Sequence, residues 1–197
     1  MVDIAPHPEP PWDLPKRRLP LVHRGGEWLR IHNIKRGPIY FGRSGANRFD
    51  APGDEYGVLY VGATCEAAFI ETFGHATGVN FVQQSELDVR AISVIGITRD
   101  LALVDLTGHG LARIGADERI CSGSQITGRL WSAALYEHPS KPDGLLYRAR
   151  HDPSQLCAAL FDRTQSNLVL KSTAPLSEPA FADQLLGLLH RYNFGLV

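Results

Sequence analysis

The feature that constrains this chain most is the run GVLYVGATCEAAFIETFG, residues 57–74. Its first part, 57–62, is a compact apolar strand closed at both ends by glycine. Thr64 follows as the N-cap of a helix reaching to about His75. On that helix Ala67, Ile70, Glu71 and Gly74 fall on one face. The small residues Ala67 and Gly74 let this face approach a neighbouring strand closely. The carboxylate of Glu71 then points inward or into the edge of a cleft. Burying it is costly unless it is paired or hydrogen-bonded. It serves either as a structural acid locked to an arginine or as a working group, and residue type alone leaves the two readings even.

The rest of the chain sets the fold class. Residues 1–20 carry six prolines and read as an extended arm with little regular structure. A strand is predicted over 27–34, with Arg30 inside it. Residues 37–53 hold four glycines and two prolines and read as loop, interrupted by the apolar 39–41. Further strands are predicted at 89–98, 101–106, 145–148, 157–161 and 168–170. A helix is predicted over 122–136, ended by Pro139 and Pro142, and a terminal amphipathic helix over 179–192. Phe181, Leu185, Leu188, Leu189 and Tyr192 share the apolar side of the latter. Strands outnumber helices and do not alternate with them regularly, which argues for α+β in one body over 21–197. No GxGxxG follows a strand and no GxxxxGK[ST] occurs.

Composition narrows the partners. With 20 basic and 21 acidic residues the net charge is −1, which offers no bulk attraction to nucleic acid or an anionic membrane. The triplet KRR at 16–18 is too slight a basic cluster to support nucleic-acid binding. Cys65, Cys121 and Cys157 are odd in number and form no CxxC, so they read as reduced thiols rather than a zinc site or a disulfide framework. The first 20 residues lack the apolar core of a secretion signal, and no apolar run is long enough to span a bilayer. A cytoplasmic protein is expected.

Chemistry-bearing residues cluster before Gly74. Arg48 stands in the glycine-rich loop and Arg30 in the preceding strand, each a planar fork suited to phosphate or carboxylate. Tyr60 shares one strand face with Val58 and offers a ring with a hydroxyl handle. Tyr40 has the same two features. Ser122 and Ser124 stand at the predicted start of the 122–136 helix, where they cap it or face an anion. His75 and His151 read as satisfied or surface histidines, and Asp105 as a turn residue. Two arginines, a tyrosine and an acid near one sheet edge suit an anionic, ring-bearing ligand.

Taken together, RIHN, PIYFG, NRFDAPGDEYGVLYVGATCEAAFIETF, LVDLTG, CSGSQITG and DGLLYRARHDPSQLCAALFDR resemble the RES domain of bacterial toxin–antitoxin systems, over residues 28–170. The block from Arg48 to Glu71 is the specific part. The resemblance implies an ADP-ribosyltransferase-like fold with a mixed, strongly bent β core flanked by helices. It implies NAD bound in a central cleft as substrate rather than cofactor, and cleavage of its nicotinamide–ribose bond with water or phosphate as acceptor. A minority of the family transfer ADP-ribose to a protein. A small helical antitoxin of the Xre type covers the cleft. Carried over residue by residue, the family's arginines fall on Arg30 and Arg48, its aromatic on Tyr60 and its acid on Glu71. The late motif YxSR reads YRAR here, with Ala149 in place of the serine. Ser122 is taken for that role, with Ser124 in reserve, and a degenerate non-catalytic module stays open as an alternative. The expected catalytic set is Glu71, Arg48 and Ser122, with Arg30, Arg48, Tyr60, Tyr40 and Ser124 holding NAD. No metal is called for, because nicotinamide leaves as a neutral base. Neither nucleic acid nor membrane is expected as a partner, and a homo-oligomer stays open.

Overall fold

The computed structural model describes residues 8–75 and 78–197. In chain order its elements are β1 (Leu21–Asn33), β2 (Val58–Gly62), α1 (Cys65–Phe73), β3 (Phe81–Val82), α2 (Gln84–Asp88), β4 (Arg90–Asp105), α3 (His109–Ile114), α4 (Arg119–Ser122), α5 (Gln125–Glu137), β5 (Gly144–Arg148), β6 (Leu156–Phe161), β7 (Leu168–Pro175), α6 (Ala182–Tyr192) and β8 (Gly195–Leu196). Among the described residues no helix is long and apolar enough to cross a membrane.

Five strands run β1-β2-β6-β5-β4, and β4 pairs back onto β1, so the sheet closes into a ring with β7 flanking β4. Neighbours are antiparallel except β4 and β5. The closure is uneven. β1 and β4 share a long ladder, whereas β1 and β2 meet only at Leu29 opposite Gly62. That seam is where the two strands part, and a cleft opens there.

The period-2 alternation of the strands sorts their side chains into two sets. Trp28, Leu59, Val61, Ile95, Leu103, Leu146, Ala158 and Leu160 are buried in one cluster drawn from all five strands of the ring, which is its interior. Residues of opposite parity meet helices outside. Val58, Leu145, Tyr147, Ala159 and Phe161 pack on Trp131 and Leu135 of α5 with Ile114 and Ile120. Ile31 and Ile92 pack under Phe69 of α1, Leu87 of α2 and Leu185, Leu188 and Leu189 of α6. Each fully buried Leu, Ile, Val or Phe among them contributes roughly 1.5–3 kcal/mol relative to exposure.

The differences from the sequence expectations have local causes. β1 begins at Leu21, not at 27, because the Gly25–Gly26 pair is a bulge within the β1–β4 ladder rather than a turn; Gly26 sits at φ 79. The strands expected at 89–98 and 101–106 are one strand, β4, continuing through the exposed stretch 98–100 opposite that bulge. Residues 8–20 include a 3-10 turn, Leu14–Lys16, and lie against the body. There Leu14 and Leu19 are buried, Trp131 Nε1 donates to Pro8 O at 2.9 Å, and Arg17 Nη1 donates to Ile114 O at 3.0 Å. Residues 1–7 of the expected arm lie outside the described residues. The helix expected over 122–136 is two helices, α4 and α5, broken at Gly123 and Ser124. The short pair β3–β8 and the helices α2 and α3 carry no periodicity long enough to be read from sequence.

Candidate active site

The cleft at the β1–β2 seam has a volume of about 260 Å³, and Arg30, Arg48, Tyr60, Glu71, Tyr147 and Arg150 line it with His75 and His151 at its edge. Three separate local structures place these side chains.

The first is the turn Asn47–Arg48–Phe49–Asp50. Asp50 is fully buried and gathers donors: Asn47 N at 3.1 Å, Asn47 Nδ2 at 3.1 Å, Ser44 Oγ at 3.3 Å and the Tyr60 hydroxyl at 3.0 Å. The same hydroxyl accepts from Phe49 N at 3.0 Å. Phe49 turns into the core, and Arg48 turns into the cleft, where its Nη1 donates to Gly123 O at 2.6 Å. That carbonyl is free to accept because α4 has ended. Gly128 lets the turn lie directly on α5, since a Cβ there would stand 2.8 Å from Arg48 Cγ and Arg48 O. Burial, and then the charge of Arg150, push the Arg48 guanidinium pKa down; an arginine so shifted is still a cation at neutral pH. Replacing Asp50 by Ala strands the Asn47 donors and the Tyr60 hydroxyl. A loss of about 2 kcal/mol in urea unfolding is expected, with the midpoint falling at unchanged slope.

The second is α1. Thr64 Oγ1 accepts from Ala67 N at 3.0 Å, the expected cap, and the helix then lies on β2 at Gly62. One turn on, Glu71 reaches into the cleft and its Oε2 accepts from the Tyr147 hydroxyl at 2.9 Å. Burial raises the Glu71 pKa above the ordinary carboxylate value; Tyr147, His75, the Arg150 backbone and Arg48 act in the other direction and only partly offset it.

The third is the far side of the seam. Arg30 projects from β1 and donates Nη1 to Pro38 O at 3.2 Å and Tyr40 O at 2.9 Å. Burial and the nearby Arg36 bring its pKa down to about 10, so it too is cationic at neutral pH.

Arg30, Arg48, Tyr60 and Glu71 thus share one cleft. Tyr60 offers its ring, since its hydroxyl is committed to Asp50 and Phe49. Tyr40 stands outside the lining, with its ring exposed and 5.7 Å from Arg36. Ser122 and Ser124 are also outside it. Ser122 is the last residue of α4 rather than the first of a long helix, and its Oγ donates back one turn to Glu118 Oε2 at 2.8 Å. Ser124 holds the N-cap position of α5 without a side-chain cap bond. Ala149 is buried in the core. No serine is among the described residues lining the cleft.

Sequence reasoning missed Asp50, Tyr147 and Arg150, and set His75 and His151 aside as satisfied or surface histidines. Tyr147 was detectable in principle: in LLYRAR it shares strand parity with Leu145. Cys121 also lines the cleft, and burial, followed by the Glu118 charge, pushes its thiol up to about 12, so it is not a nucleophile at neutral pH.

Comparisons with known proteins agree with one another. The family model described as "RES domain" matches residues 21–181. A relative described as "Probable toxin y4kH", from Sinorhizobium fredii (strain NBRC 101917 / NGR234), is 32% identical over 114 residues, covering 57% of this chain and 87% of the relative. A chain in the crystal structure of the M. tuberculosis MbcT-MbcA toxin-antitoxin complex superposes with a TM-score of 0.65 at 16% identity, over 85% of this chain and 92% of that chain. At that identity the likeness speaks for the fold, which is α+β and ADP-ribosyltransferase-like.

Proposed function

Because the chain belongs to the RES domain family, we propose that it is the toxin of a toxin–antitoxin pair and degrades NAD by cleaving the nicotinamide–ribose bond, as a glycohydrolase or a phosphorylase. One observation carries the reading: a half-buried carboxylate, Glu71, shares one cleft with Arg30, Arg48, Arg150 and Tyr60.

Each group has a task in that reaction. The arginines suit the pyrophosphate, with bidentate, charge-assisted hydrogen bonds. The Tyr60 ring offers a face for nicotinamide. When the C–N bond breaks, its electron pair leaves with nicotinamide, a neutral base, and the ribose carbon becomes oxocarbenium-like. Glu71 stabilises that charge as it forms and accepts from the ribose hydroxyls. Water or phosphate then adds to the same carbon, and the water route releases a proton. The cleft volume of about 260 Å³ suits the nicotinamide–ribose end of the dinucleotide rather than the whole.

The partner on this reading is a small helical antitoxin of the Xre type that covers the cleft, in keeping with the toxin–antitoxin complex of the structural relative. The setting is the cytoplasm, where NAD is held.

The test is to incubate the purified chain with NAD, with and without phosphate, and identify products. Free nicotinamide with ADP-ribose marks the glycohydrolase; a phosphorylated ADP-ribose that needs added phosphate marks the phosphorylase. ADP-ribose attached to protein in a lysate would replace this reading by a transferase. A second reading, a non-catalytic module, is favoured by Ser122 facing Glu118 and by Ala149 in the core. No product at high protein concentration would establish it.

A further inference from the structure

We propose that Tyr147 is a positioning residue for Glu71, fixing the carboxylate in the cleft and keeping it ionised through its hydroxyl; this rests on the NAD-cleaving role of Glu71. The argument begins with strand register. Gly62 on β2 lies opposite Cys157 on β6, which lies opposite Tyr147 on β5. The three side-chain positions therefore form one row on one face. Helix α1 lies on the glycine end of that row, where a Cβ at Gly62 would stand 2.7 Å from Ala67 Cβ. Glu71, one turn further along α1, then meets the tyrosine end, and the 2.9 Å bond from the Tyr147 hydroxyl to its Oε2 closes the contact.

The Tyr147 ring is held independently of that bond. It is buried and packs edge-on against Phe49 at 5.1 Å between centroids, so it also joins Glu71 to the turn that carries Arg48. Burial, and then the charge of Glu71, push the Tyr147 phenol well above its ordinary pKa, so it stays a donor at any working pH. The other groups facing Glu71 come from five elements or loops: Arg48 from its turn, His75 just after α1, Arg150 after β5, Cys121 on α4 and Cys157 on β6. Both thiols stay protonated at working pH, because burial raises them. Among these, Tyr147 is the group that makes a side-chain hydrogen bond to Glu71. It also favours the charged form against the burial that opposes it.

The decisive variant is Tyr147→Phe, which keeps the ring and its contact with Phe49. Two measurements go together. The first follows the carboxyl carbon of Glu71 by NMR through a pH titration of glutamate-labelled protein. Its pKa is expected to rise by about one unit in the variant. The second is NAD cleavage: kcat is expected to fall about 10-fold with KM within about twofold, and the acid limb of the rate profile to move to higher pH with the NMR value. A merely structural role moves the melting temperature but not the acid limb. An unchanged Glu71 titration overturns the proposal whether or not the protein acts on NAD. So does a raised pKa with unchanged kcat and acid limb. If the parent releases no nicotinamide, the NAD reading itself has failed, and the NMR titration alone decides whether Tyr147 keeps Glu71 ionised.

Discussion

The Glu71→Gln protein is expected to cleave NAD about 100- to 1000-fold more slowly than its parent, by analogy with other preorganised electrostatic groups. The substitution keeps the shape of the side chain and leaves an amide oxygen for the Tyr147 hydroxyl, so the geometry of the cleft survives. What is lost is the negative charge, needed only as the ribose becomes cationic; the loss should therefore fall on kcat rather than KM. Stability should move the other way. The folded-state pKa of Glu71 is raised, chiefly by burial. Such a carboxyl contributes stability that is fully present below its unfolded pKa and lost as pH rises through the folded value. At neutral pH its charge is a burden on the fold, and Glu71→Gln should melt at the same temperature or slightly higher. Slower chemistry on an equally stable scaffold marks a group retained for function. The parental rate profile should accordingly lose activity on the acid side at a pH above the ordinary glutamate range. A variant that consumes NAD at the parental rate would remove Glu71 from the chemistry. A variant that unfolds would show the acid to be structural.

The parts of this site that could be read from sequence are those where local pattern and tertiary packing agree. The strand 57–62, the Thr64 cap and the inward face carrying Glu71 all follow from spacing along one short run, and all three stand in the structure. Arg48 sits two residues before Asp50, but nothing in the sequence says that Asp50 is the anchor. Its four donors come from Ser44, Asn47 and Tyr60, and the last lies on a different element. Ser122 went astray for a related reason. CSGSQ has the composition of a helix start, yet Gly123 N donates to Arg119 O at 2.7 Å and closes a short helix before it. That break turns Ser122 away and also frees the Gly123 carbonyl for Arg48. Tyr147 could be placed on its strand face, but its contact with Glu71 could not: the partner is 76 residues distant, and only the β2-β6-β5 register brings the two together.

That register rests on a position with no side chain, and Gly62→Val is expected to be the most damaging change to the fold among those considered. A Cβ at Gly62 would stand 2.7 Å from Ala67 Cβ and 2.7 Å from Ala68 N, the latter part of the α1 backbone. A flexible side chain could swing aside; a helix backbone cannot. α1 must therefore lift from β2. Lifting it opens the contacts of Ala67 and Ile70 with the core on one side and of Phe69 with α6 on the other. Overpacking of this kind, compounded by the contacts it breaks, should cost about 3 kcal/mol or more, seen as a lower midpoint in urea unfolding. Gly187, within α6, serves as the control, because a Cβ there meets nothing within 4 Å. Gly187→Ala should stabilise the same protein by about 0.5–1 kcal/mol. Where the valine protein is still folded, it should also lose NAD cleavage out of proportion to its unfolded fraction, because Glu71 leaves with the helix. Equal stability of the valine and parental proteins would mean that α1 is not seated on Gly62, and the path from that glycine through Cys157 to Tyr147 and Glu71 would fall with it.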